Sequence, residues 1–202
     1  MIEIINITKS FGDKVIFENF SLKINKGDFV VFTGESGCGK STMLNIIGGL
    51  ETVDKGNVLF EGMDIFKRKN QKKYFSEYVS FLFQNFALIE SKTVRENLKI
   101  IPKEYREDVE LEKVLNDVGL SEKIDTKVYK LSGGEQQRVA LARLSLKKSC
   151  IILADEPTGS LDSNNAQVVI NKLIELNNKG KTIVLVTHNL SIIPQRAKVI
   201  NL

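Results

Sequence analysis

Four short runs of mostly consecutive apolar residues organise this chain. They cover residues 29–33, 79–83, 150–154 and 182–186, and polar residues close each one at its C-terminal end. Such runs predict strands buried on both faces, the strands of a parallel sheet covered by helices. The first, Phe29-Val30-Val31-Phe32-Thr33, leads into a glycine-rich turn, and a helix is expected from Lys40 to about Leu50. Residues 2–22 and 56–65 instead hold short alternating segments, which predict an antiparallel sheet flanking the core. Between 91 and 147 the period becomes helical. Thr93-Val94-Arg95-Glu96 reads as a capping box. Leu111, Val114, Leu115 and Val118 follow at i, i+3, i+4 and i+7, with Gly119 where a C-terminal cap belongs. The expected fold class is α/β in one domain, 1–202. Its parallel-sheet core with the N-terminal β unit spans 1–90 and 148–202, and a helical unit is inserted at 91–147.

Composition narrows the classes without deciding among them. Lys and Arg number 29 against 25 Asp and Glu, a net charge of +4 that gives no reason to expect a nucleic-acid partner. The densest basic stretch, residues 67–73, reads as a solvated helix face. Two cysteines, Cys38 and Cys150, are too few for a disulfide framework. No apolar run approaches the roughly 20 residues that a bilayer-spanning helix needs, so any membrane role is expected to come through a partner.

Chemistry concentrates at the strand ends. Gly34-Glu35-Ser36-Gly37-Cys38-Gly39-Lys40-Ser41 fits G-x-x-x-x-G-K-[ST] directly between a strand and a helix, the context that motif requires. Its glycines let successive backbone N–H groups face phosphate oxygens at a helix N-terminus, with Thr42 next in line. Lys40 would reach the β- and γ-phosphates of a nucleotide, and the Ser41 hydroxyl would ligate Mg²⁺. Residues 150–154 deliver Asp155 and Glu156 at the C-terminal end of a strand, where ligands bind in parallel sheets. Alternation along a strand would turn the two carboxylates to opposite sides, Asp155 toward the metal and Glu156 toward an attacking water. His188, the chain's one histidine, and Gln84 end two further strands in the same manner. His188 would stabilise charge on the γ-phosphate, and Gln84 would ligate Mg²⁺ and hold the water.

The run Leu131-Ser132-Gly133-Gly134-Glu135-Gln136-Gln137-Arg138 adds a second capping box, Ser132 with Glu135, but sets two glycines in the first helical turn. Glycine weakens a helix, and the pair makes sense if a phosphate must approach the backbone closely at this N-terminus. With the cradle, Gln84, this run, Asp155-Glu156, Ser160-Leu161-Asp162 and His188 in that order, the chain resembles the ABC ATPase family over nearly its whole length.

The resemblance implies a P-loop NTPase fold with a RecA-like core, and ATP and Mg²⁺ as cofactors. It also implies a homodimer with composite sites, in which Ser132, Gly133 and Gly134 grip the γ-phosphate held by a second copy. Asp162 would work at that interface, and Phe11 would stack on adenine. Residues 86–89 (Phe86, Ala87, Leu88 and Ile89) would help receive a cytoplasmic helix of an integral membrane subunit. That places the chain peripherally on the cytoplasmic face of a membrane. Gln84-Asn85-Phe86-Ala87-Leu88-Ile89 and Asp155-Glu156-Pro157-Thr158-Gly159 resemble the macrolide-efflux and lipoprotein-release group, nearest to export ATPases for bacteriocins or antimicrobial peptides. A membrane-coupled regulator that moves no cargo would carry the same motifs. A P-loop small-molecule kinase would need neither 131–138 nor His188.

Overall fold

The computed structural model describes residues 1–159 and 161–202; Ser160, named above with Leu161 and Asp162, lies outside the described residues. In chain order the elements are β1 (Ile2–Phe11), β2 (Lys14–Ile24), β3 (Phe29–Thr33), α1 (Lys40–Ile47), β4 (Lys55–Phe60), β5 (Met63–Asp64), α2 (Arg68–Lys73) and β6 (Val79–Leu82). They continue with α3 (Val94–Lys99), α4 (Leu111–Asn116), α5 (Gly133–Leu146), β7 (Ile151–Asp155), α6 (Ser163–Asn178), β8 (Thr182–Val186) and β9 (Lys198–Asn201).

Among the described residues five strands form a parallel sheet in the order β6-β7-β8-β3-β9, and four form an antiparallel sheet in the order β2-β1-β4-β5. The apolar runs have no polar face because each strand serves two cores. Val30, Phe32, Ile151, Leu153, Val184 and Val186 pack toward α1 and the antiparallel sheet, with Ile2, Ile4, Ile7, Leu44 and Ile47. Their neighbours Val31, Ile152, Ala154, Ile183 and Leu185 pack on the opposite side against α5 and α6. Each such valine, leucine, isoleucine or phenylalanine is worth about 1.5–3 kcal/mol of burial.

A third cluster belongs to 94–146: Val94 and Leu98 of α3, Val114 and Leu115 of α4, and Val139, Ala142 and Leu146 of α5. Helix α5 divides its faces, since Ala140, Leu141 and Leu144 join the sheet's core instead.

Several boundaries differ from the sequence reading. Helix α1 stops at Ile47 because Gly49 turns left-handed at φ +72 and the chain closes on itself, Leu50 N–H to Asn45 O at 2.8 Å and Gly49 N–H to Ile46 O at 3.1 Å. Gly119 caps α4 in the same way at φ +67, with Leu120 N–H to Leu115 O at 2.9 Å. Strand β6 ends one residue early at Leu82, and β7 runs to Asp155 instead of stopping at Ala154. Both capping boxes form, Thr93 with Glu96 and Ser132 with Glu135.

Candidate functional site

Strand β3 hands the chain to α1 through residues 34–39, where Gly34, Gly37 and Gly39 have φ of +138, +80 and +104. A side chain is also crowded at the last: a Cβ on Gly39 would collide with Ile16 Cγ2. The loop wraps the Lys40 ammonium, which is buried and donates to the carbonyls of Gly34 at 3.0 Å and Glu35 at 2.7 Å, with Cys38 Sγ at 3.7 Å. Lys14, from the β1–β2 hairpin, reaches Gly37 O at 3.3 Å. Ser41 Oγ donates to Asp155 Oδ1 at 2.9 Å, joining the start of α1 to the end of β7.

The two acids part company by a route that strand alternation did not foresee. Asp155 closes β7, but Glu156 sits at φ +44, left-handed for a residue with a side chain. That conformation costs roughly 1–2 kcal/mol, and Glu156 N–H holds it by donating to Val186 O at 3.0 Å. The turn aims the Glu156 carboxylate at His188, whose Nε2 lies 3.0 Å from Oε1. The approach is off-line for a hydrogen bond, so this buried oxygen has no hydrogen-bond partner among the described residues. Glu156 and His188 line one cavity of about 240 Å³ together with Ser36, Gly37, Gly39, Lys40, Ser41 and Thr42. Gln84 does not line it. It shares a neighbouring cleft with Asp155 and Asn85.

Ser132, Gly133 and Gly134 also lie outside the Lys40 cavity. Ser132 caps α5, its Oγ accepting from Glu135 N–H at 3.3 Å while Glu135 accepts from Ser132 N–H at 2.8 Å. Those contacts, the Ser132 backbone N–H foremost, hold the Glu135 carboxyl below its ordinary range. Neither glycine has a positive φ; a Cβ on Gly133 would meet open space and one on Gly134 would touch the Asn165 side chain at 3.4 Å, so the backbone conformation demands neither. Gln137, buried one turn on, ties α5 to the acid turn by donating to Pro157 O at 2.8 Å. Asp162 caps α6 through Asn165 N–H at 2.9 Å, which lowers its pKa.

Phe11 is 49% exposed at the end of β1, with the Lys9 ammonium 4.7 Å from its ring centroid. Residues 86–89 divide. Phe86 packs into the sheet's core and Leu88 into the helical cluster, Ile89 is exposed, and only Ala87 of the four lines a groove of about 290 Å³ with Phe75, Phe81, Ile100 and Leu144. Phe86 and Ala87 are both left-handed (φ +60 and +46), and Arg143 fixes them by donating to both carbonyls at 2.7 Å. Sequence reasoning missed Lys14, Gln137 and Arg143. A polar residue inside the apolar period of α5 was the available signal for the last two.

The sequence profile of the family described as ABC transporter matches residues 17–159. The chain belongs to the ABC transporter family. It is 41% identical over its whole length to the macrolide export ATP-binding/permease protein MacB of Campylobacter jejuni, of which it spans 33%. It thus corresponds to about a third of the first curated relatives it matches. It is 40% identical to the uncharacterized ABC transporter ATP-binding protein MJ1508 of Methanocaldococcus jannaschii, of which it spans 95%. Among solved structures, the dimeric MJ0796 ABC transporter cassette superposes with a TM-score of 0.88 at 35% identity, covering 100% of this chain and 94% of that one. A post-hydrolysis state of that cassette, bound to ADP and Pi, gives 0.85.

The fold is accordingly that of an α/β P-loop NTPase, and the chain is an ATPase whose cofactors are ATP and Mg²⁺. The cassette's residues fit that metal. A hydroxyl and one carboxylate, already in contact at Ser41 and Asp155, are hard oxygen donors of the kind Mg²⁺ uses beside substrate phosphates.

Proposed function

We propose that two copies of this chain close on two ATP molecules and that the closure drives a membrane partner. One observation carries the reading. The Ser132, Gly133 and Gly134 turn opens a helix N-terminus to solvent, contains two glycines its own backbone does not need, and lies outside the cavity of Lys40, Glu156 and His188. A phosphate-binding turn that is not part of its own chain's cavity suits a nucleotide held by a second copy. The dimeric form of the related cassette supports this.

In the closed site Lys40 would leave its carbonyl partners for the β- and γ-phosphate oxygens. Ser41, Asp155 and Gln84 would hold Mg²⁺, which when bound neutralises charge on the β- and γ-phosphates. Glu156 takes a proton from the attacking water as its oxygen bonds to the γ-phosphorus. The bond to the bridging oxygen breaks, ADP carries away that electron pair, and inorganic phosphate is released. His188, held against Glu156, would orient the γ-phosphate and stabilise its charge. Asp162 and the partner copy's serine-glycine turn would complete the site, and Phe11 would stack on adenine. Loss of the shared γ-phosphate reopens the dimer, because ATP stabilises the closed state only by binding it better.

The whole of 1–202 then acts as one ATPase domain, with 91–147 its signature-bearing helical unit. Among the described residues no helix is long and apolar enough to cross a membrane. We place the chain peripherally at the cytoplasmic membrane face, docked to an integral permease through Ala87 and the groove beside it. We take the cargo to be an exported drug, peptide, bacteriocin or lipoprotein; the macrolide-export relatives support the first of these. Glu156→Gln should bind Mg-ATP, lose turnover and become a dimer in light scattering. A Glu156→Gln protein that stays monomeric under saturating Mg-ATP, alone and with its membrane partner, would defeat the proposal.

A further inference from the structure

Strand β1 turns one face inward. Ile2 and Ile4 and, beyond the left-handed Asn6, Ile7 are buried between the two sheets. The next residue of that face is Lys9, 6% exposed, and the one after it is Phe11. A lysine where the pattern calls for an apolar side chain needs compensation for its lost water. It finds Glu51 Oε1 at 2.6 Å and Asp54 Oδ1 at 3.9 Å, and it lies against the Phe11 ring. Glu51 and Asp54 stand in the turn that leaves α1, the helix whose other end carries the phosphate cradle. That turn is stitched to the strand, Asp54 N–H to Thr8 O at 2.9 Å and Ser10 N–H to Asp54 Oδ2 at 2.7 Å. From the other side Phe11 pairs across the hairpin with Lys14, whose ammonium reaches Gly37 of the cradle.

We propose that Lys9 is a positioning residue for the nucleotide base. Anchored by Glu51, its ammonium holds one face of the Phe11 ring by cation–π attraction and leaves the exposed side as a fixed platform for a purine. The inference rests on the reading of Phe11 as that platform. Without the cation, a phenylalanine at the tip of a hairpin would be free to change rotamer and would lose that freedom only on binding. A cation on one face also draws on the ring's negative quadrupole, which eases the approach of a second π-face on the other. The Glu51 contact links the platform to the far end of α1, so base and phosphate subsites share one frame.

The test is calorimetric binding of Mg-ATP and of Mg-tripolyphosphate, which has no base, in the Glu156→Gln background where nothing is turned over. Lys9→Met should weaken ATP by about three- to tenfold and leave tripolyphosphate unchanged, the latter also reporting an intact cradle. Lys9→Arg should restore ATP binding, Glu51→Gln should give a smaller loss of the same sign, and Lys9→Met should add nothing once Phe11 is alanine. If Lys9→Met weakens both ligands equally, or neither, while Phe11→Ala weakens ATP alone, Lys9 is a structural pin and the proposal falls. If Phe11→Ala leaves the ratio of the two affinities unchanged, the platform reading fails and takes this one with it.

Discussion

Replacing Arg143 by methionine should free the segment that follows Gln84. Two consecutive left-handed residues with side chains, Phe86 and Ala87, store about 2–4 kcal/mol of backbone strain. The guanidinium opposes it with two charge-assisted hydrogen bonds of 2.7 Å, each worth about 1.5–3 kcal/mol. The margin is narrower than that sum, because burial disfavours the charge and lowers the Arg143 pKa. Water can replace the bond to the exposed Ala87, and the released segment recovers part of its strain. A net loss of about 2 kcal/mol follows, or about 4–8 °C in Tm for a chain of this length. The sharper readout is hydrogen exchange, which should accelerate across 84–89 beyond the global change, with ATPase activity falling as Gln84 loses its place. Adding Ala87→Gly should recover about 1 kcal/mol, since glycine accepts that region without penalty. A melting point within about 1 °C of the parent, with unchanged exchange across 84–89, would refute the clamp.

Alkylation of Cys38, whose sulfur lies 3.7 Å from the Lys40 ammonium, should abolish ATP binding, and ATP should slow the labelling; equal rates with and without nucleotide would discard this. Lys147 donates to the carbonyls of Phe75 and Val79, and burial lowers its pKa from 10.5 to about 8. Between those values the unfolded chain keeps a proton that the folded chain has released, so this residue makes stability rise with pH across that window and contributes no slope below it. Urea midpoints of Lys147→Met should lack that increment, and identical pH profiles for variant and parent would contradict it.

The parts of the site that depend on neighbouring residues were open to sequence reading. The glycines of 34–39 announce a loop that must turn left-handed, and the cradle forms there. Ser132 with Glu135 and Thr93 with Glu96 satisfy local backbone groups, so their caps follow from spacing alone. Gly119 is where a helix must stop for the same reason. What resisted reading was set at a distance. The left-handed Phe86 and Ala87 are held by an arginine 57 and 56 residues away. Glu156 owes its direction to a turn pinned by Val186 on the next strand. Helix α6 is legible by the same local logic, with Ala166, Val169, Ile170 and Leu173 at helical spacing. Residues 86–89 read as one patch because they are consecutive, yet their backbone conformation sends Phe86 and Leu88 into different cores.

Helix α5 is a party wall. Val139, Ala142 and Leu146 furnish the chamber of the inserted unit, and Ala140, Leu141 and Leu144 furnish that of the sheet. Neither chamber can be emptied without stripping the other, so the insertion has no independent melting to undergo. A truncation that kept 91–147 alone would leave one side of this wall bare, a stripe of leucine and alanine ready to associate with whatever apolar surface it met.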